Sequence, residues 1–82
     1  MARHEVVSPI PGVFYRRPDP DSAPFTDAGA EVGADDPVCV VEVMKSFHQV
    51  PAGVAGTVVE FVVSDEDMVD AGQVVAVIEA SG

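Results

Sequence analysis

Lys45 carries the one side-chain primary amine in this 82-residue chain. It lies in the run Val41-Glu42-Val43-Met44-Lys45-Ser46-Phe47, near the middle of the sequence. The other cations are Arg3, Arg16 and Arg17. A guanidinium stays protonated and is a poor nucleophile, whereas a lysine amine on its flexible stem is the usual target of acylation. A prosthetic group joined to this chain through a side-chain amide therefore has one place to go. A single lysine does little as general solubilising charge in a chain of formal net charge −10.

The other reactive residue types form no catalytic set. His48 follows Lys45 by three positions, His4 is the only other histidine, and no Cys/His cluster exists to hold a metal. His48 reads as a strand residue beside the lysine. Cys39, with no electropositive neighbour, reads as a buried packing residue. Ser8 and Ser46 have no His/Asp partners set by sequence, which argues against nucleophilic catalysis. Asp65-Glu66-Asp67 lacks the glycine and terminal glutamate spacing of a calcium loop and reads as a solvated turn. Gly53, Gly56 and Gly72 read as turn or bulge residues. Met44 reads either as a flexible gap-filler or as a recognition residue beside the lysine.

The elements that must position Lys45 are strands. Short β-branched runs alternate with Gly, Pro and Asp, which predicts strands over Glu5–Val7, Gly12–Tyr15, Pro37–Val43, Phe47–Val50, Thr57–Val63 and Gln73–Glu79. Val38-Cys39-Val40-Val41 and Val74-Val75-Ala76-Val77-Ile78 are near-continuous apolar runs, as expected of strands buried on both faces. Helix is disfavoured because Gly or Pro interrupts every window long enough. Arg16–Pro24, with Pro18, Pro20 and Pro24, predicts a stiff polar loop.

Length and charge set limits. An apolar content of 48% over 82 residues suffices for one small core. The expectation is a single domain over 1–82, with its core over about 5–80. The acidity argues against nucleic acid and against an anionic membrane surface, since both select clustered Lys and Arg. It permits a basic protein partner. A single cysteine makes no internal disulfide, so the default is a reducing, cytoplasmic location. No apolar stretch reads as a signal peptide or a membrane span. A homo-oligomer is compatible with all of this.

An internal repeat organises the chain. Residues 32–42 match 69–79: each has a small or acidic turn, then an apolar run closed by glutamate, Glu42 or Glu79. Upstream, Gly12-Val13-Phe14-Tyr15 echoes Gly56-Thr57-Val58-Val59. Gly12 to Val32 is 20 positions and Gly56 to Val69 is 13, so the first half holds seven extra residues, in the proline-rich interval. Two halves that each bury one apolar face need each other to make a core. Lys45 falls where the first repeat ends, and a hairpin tip there exposes it.

Glu42-Val43-Met44-Lys45, with Gly56-Thr57-Val58 eleven residues on, resembles the biotinyl-lysine motif of biotin carboxyl carrier proteins. Ser8-Pro9-Ile10-Pro11-Gly12-Val13-Phe14-Tyr15-Arg16 is similar to the start of the carrier domain of acetyl-CoA carboxylases. Arg17–Pro24 falls where many such domains have a protruding thumb loop. The resemblance runs from about Val6 to Ala80. It implies an all-β fold, a flattened β-barrel or sandwich of two pseudo-symmetric four-stranded halves with a thumb-like loop over 17–24. The modified lysine then sits in a tight turn opposite the termini. Val43 and Ser46 stand where the commonest motif has Ala and Met or Leu, and Arg17 where a thumb threonine is frequent. Lipoyl domains share the fold and typically have Asp before the lysine and Ala or Ser after it. Ser46 leans towards them, and Met44 leans towards biotin.

The resemblance implies a function without catalysis. Lys45 bears covalent biotin, Glu42, Val43 and Met44 form the turn and the ligase recognition segment, and CO2 travels as carboxybiotin. The partners implied are a biotin carboxylase, a carboxyltransferase and a biotin protein ligase, within an acyl-CoA carboxylase of the acetyl-CoA type. Two other readings stay open. One is a lipoyl carrier domain of a 2-oxo acid dehydrogenase complex. The other is an unmodified structural or interaction module on the same fold.

Overall fold

Eight strands and no helix account for the regular structure of the described residues, 2–17 and 21–80, in the computed structural model. The strands are β1 (Arg3–Val7), β2 (Gly12–Tyr15), β3 (Glu31–Val32), β4 (Pro37–Val43), β5 (Ser46–Pro51), β6 (Gly56–Phe61), β7 (Met68–Val69) and β8 (Val74–Ala80). They form two four-stranded antiparallel sheets, in the orders β1-β8-β6-β3 and β5-β4-β2-β7. The body is flattened, 38 × 27 × 19 Å. This is the all-β sandwich the sequence predicts.

The two orders are one pattern written twice. Exchanging β1 with β5, β2 with β6, β3 with β7 and β4 with β8 turns one sheet into the other. Each sheet takes two strands from each repeat, so neither repeat can complete a sheet alone. The symmetry reaches atomic detail at the paired glycines. A Cβ on Gly12 would stand 2.5 Å from the carbonyl oxygen of Glu42, and a Cβ on Gly56 would run into the carbonyl oxygen of Glu79. Both glycines therefore permit close backbone approach to the glutamate that closes each apolar run.

The two apolar runs are β4 and β8, each an interior strand of its sheet. Val38, Cys39, Val41, Val75, Ala76 and Ile78 are fully buried. Phe14 is the largest of the fully buried side chains, and its ring lies tilted against Phe61 at 6.4 Å between centroids. Val40 is also buried, but lies outside this central cluster. It lines an open depression with Phe25, from the connection between β2 and β3.

The departures from expectation are small and have causes. β3 and β7 were not predicted: a two-residue ladder has no periodicity to read. They are equivalent strands of the repeat, anchored by buried Val32 and Val69. β1 starts two residues earlier than predicted, because Arg3 and His4 pair with Glu79 and Ile78. β6 runs over Gly56–Phe61 rather than to Val63, since Val62 and Val63 already enter the turn to β7. The predicted proline-rich loop holds no strand or helix at residues 16, 17 and 21–24; Pro18, Asp19 and Pro20 lie outside the described residues.

Candidate functional site

Lys45 sits at the tip of the β4–β5 hairpin. Val43 pairs with Ser46, so Met44 and Lys45 are the whole connection. Both have positive φ, 48° and 67°. A two-residue hairpin connection favours this left-handed turn because its twist matches that of the strands, and the usual occupants are Asn-Gly or Asp-Gly. Here two ordinary L-residues occupy it, at a cost of roughly 1–2 kcal/mol each. Only Glu66 among the other non-glycine described residues shares a positive φ. Strain of this kind clusters at functional sites.

Nothing packed at the tip explains the choice of residues. Met44 is 93% exposed and Lys45 is exposed. No ion pair to the lysine ammonium is present among the described residues. The strands below hold the turn. Glu42 pairs with Phe47, Val41 with His48 and Val40 with Gln49. Because the two turn residues carry the strain, Met44→Asn, which tolerates the left-handed region, should stabilise the domain by about 1 kcal/mol. Thermal unfolding should show this as a rise in Tm of roughly 4–8 °C.

The predicted site residues come together as one segment. Glu42 and Val43 are half-buried at the end of β4, and Met44 and Lys45 project beyond it. Val43 packs against the core. Desolvation, followed by the charge and hydrogen bond of Glu42 and the charges of Glu66 and Asp65, raises the Tyr15 pKa.

The remaining candidates fall where packing puts them. Cys39 is fully buried, and burial pushes its thiol up to about 12. The Ser8 hydroxyl is buried and donates to the Ile10 carbonyl at 2.6 Å, a structural bond at the end of β1. Asp65, Glu66 and Asp67 are exposed in the turn between β6 and β7, where Asp67 caps the Ser64 N–H at 2.8 Å. His48 is exposed on β5. Among the described residues no group of three His, Cys, Asp or Glu side chains could hold a metal. Sequence reasoning missed two features. Phe47, next to the tip, is 57% exposed. Arg16 makes a set of contacts with residues far along the chain, and no local signal marks it.

The family model described as "Biotin-requiring enzyme" matches residues 4–78. The chain belongs to this family. Within this family, the biotin carboxyl carrier protein of acetyl-CoA carboxylase from Pyropia yezoensis is 38% identical over 74 residues, covering 90% of this chain and 47% of its own length. The protein of the same name from Chlamydia muridarum is 43% identical over 67 residues, 82% of this chain and 41% of its own. The chain thus spans about half the length of these relatives. Among solved structures, urea carboxylase of Kluyveromyces lactis superimposes with a TM-score of 0.77 at 33% identity, over 96% of this chain and 6% of that one.

Proposed function

We propose that this chain is a single biotin-attachment domain over 1–82, and that Lys45 carries the biotin in amide linkage. The observation that carries this reading is the lone amine, exposed and free of any ion pair among the described residues, at the tip of an ordered two-residue turn. The relatives are named carrier proteins of acetyl-CoA carboxylase. The chain then acts as a non-catalytic carrier within an acyl-CoA carboxylase, of the acetyl-CoA type. Its partners are a biotin carboxylase, a carboxyltransferase and a biotin protein ligase. Among the described residues no helix is long and apolar enough to cross a membrane, and the proposed location is the cytoplasm.

The division of labour follows from the residues. Biotin, when attached, supplies the capacity to carry CO2, as expected of a group-carrying cofactor. The chain supplies the amine, a turn that exposes it, and paired strands that fix the turn to a rigid body. A tethered group reaches an effective concentration of roughly mM at a partner's site without any new contact. That requires the tether's root to stay in place, which the β4–β5 ladder provides.

Met44 is the residue that selects biotin over lipoate in this reading. It is almost fully exposed, so its side chain is available to an enzyme and dispensable for the core. Met44→Asp should lower the rate of biotin attachment by a biotin protein ligase at least tenfold, the effect of losing about 1.4 kcal/mol of recognition. Parallel incubations with biotin and lipoyl ligases check it. Unchanged biotinylation would remove Met44 from recognition, and lipoylation of the unaltered chain in preference to biotinylation would overturn the assignment of the cofactor.

A further inference from the structure

The outer face of the sheet β1-β8-β6-β3 carries an arrangement that the hairpin chemistry does not use. Residues paired across adjacent strands share a face of the sheet. Val6 and Phe61, both paired with Ala76, and Val58, paired with Ile78, turn to the core. The alternate positions therefore turn outward. One outward row is Glu5, Val77 and Glu60, on β1, β8 and β6. The neighbouring row is Arg3, Glu79, Thr57 and Glu31, which reaches β3. On the other side of the valine, Val7 pairs with Val74, and the Val62 N–H donates to the Val75 carbonyl at 3.0 Å.

The first row has a defined chemistry. Glu5 and Glu60 are exposed, and neither makes an ion pair among the described residues. Val77 lies between them, half-buried. Neighbouring strands are about 4.8 Å apart, so the backbones that bear the two carboxylates are roughly 10 Å apart with a valine at the middle. Val7 and Val62, 42% and 46% exposed, extend the apolar surface beyond the row. Glu79 and Glu31 add charge on the opposite side, offset only by Arg3. An apolar centre with a charged rim is the anatomy of a protein contact.

The repeat marks this face as uncovered. Residues 69–79 match 32–42, so Val77 corresponds to Val40. Val40 is 2% exposed and shares a depression with Phe25. The second repeat is seven residues shorter in the interval that supplies Phe25, and Val77 keeps part of its surface in solvent.

We propose that this face docks a partner protein through a segment that presents an apolar side chain between two cations, with the apolar group on Val77 and the cations at Glu5 and Glu60. Charge complementarity selects this occupant. A net charge of −10 steers a basic partner towards the chain and repels a second copy, whose own cations are one lysine and three arginines. The hairpin that bears Lys45 belongs to the other sheet, so a partner seated here leaves that turn free. The proposal does not depend on what Lys45 carries.

The test follows backbone amide signals of the isotope-labelled chain during titration with a blocked peptide that has two valines between lysine pairs. Shifts should gather on β1, β8 and β6. The same peptide with glutamate in place of lysine should move none of them. Glu5→Gln combined with Glu60→Gln should weaken binding at least about fivefold, the scale of two exposed charge pairs. Val62→Ser should weaken it about twofold through lost apolar contact; should that variant not fold, Val7→Ser carries the comparison. Asp35→Asn combined with Asp70→Asn removes the same charge from exposed turn positions and should change the affinity little. Lys45→Arg should bind as the parent does, which separates this result from any failure of biotin attachment. No shift, shifts spread evenly over both sheets, or an equal loss in the Asp35/Asp70 control overturns the proposal. Shifts on β1, β8 and β6 that grow with the concentration of the chain alone overturn it too, and assign the face to a second copy.

Discussion

Lys45→Arg should abolish enzymatic acylation of the chain while leaving its fold intact. The substitution keeps length, charge and exposure at a position that makes no ion pair among the described residues. Stability should therefore change by no more than about 0.5 kcal/mol, as for surface substitutions in general. The chemistry cannot survive, because a guanidinium stays protonated at any pH at which the protein folds. Intact mass after incubation with a biotin protein ligase checks the loss, and thermal unfolding checks the fold. A product that still gained a biotin-sized mass would place the attachment elsewhere and remove Lys45 from the account.

The second large effect is structural. Gly56→Ala should destabilise the domain by about 3 kcal/mol, at the severe end of point substitutions. The new Cβ would run into the Glu79 carbonyl oxygen and lie 2.9 Å from the Cα of Ala80, both on the backbone of β8. That backbone cannot yield easily, because β8 is held between β1 and β6. Gly12→Ala should cost less, since two of its three nearest atoms are side-chain methyls of Val41 and Val43. Gly29→Ala meets nothing within 4 Å and pays only for its φ of 91°. For a domain of this size, the loss at Gly56 lowers Tm by roughly 12–24 °C. A Gly56→Ala protein that melts with the parent would contradict the close approach of β6 to β8.

These two predictions draw on the parts of the molecule that local sequence makes visible. β4 and β8 are continuous apolar runs because each is an interior strand, and the runs can be read directly. The repeat could be seen because Gly12 and Gly56, and Glu42 and Glu79, recur with matching neighbours. Lys45 stood out because its chemistry has no competitor in the chain. The predicted segment Glu42-Val43-Met44-Lys45 forms one continuous feature, half strand and half turn.

Other features depend on relations that sequence does not display. β3 and β7 each pair through only two residues, so their pairing is decided by neighbouring strands rather than by their own pattern. The left-handed turn at Met44 and Lys45 runs against local preference, since the strand pairing imposes a geometry that Asn-Gly would adopt more readily. Arg16 joins residues 9 to 49 positions away in sequence, through Phe25, Asp27, Phe61 and Asp65. Its neighbour Arg17 reads the same way in composition, yet among the described residues these contacts belong to Arg16. A tally of charges cannot separate the two.

Biotin attachment at Lys45 is decided by incubating the unaltered chain with biotin, ATP and a biotin protein ligase, then locating the added mass by fragmentation. One biotin-sized addition per chain is expected, on the peptide that contains Met44 and Lys45. No addition, or an addition on any other residue, would contradict it.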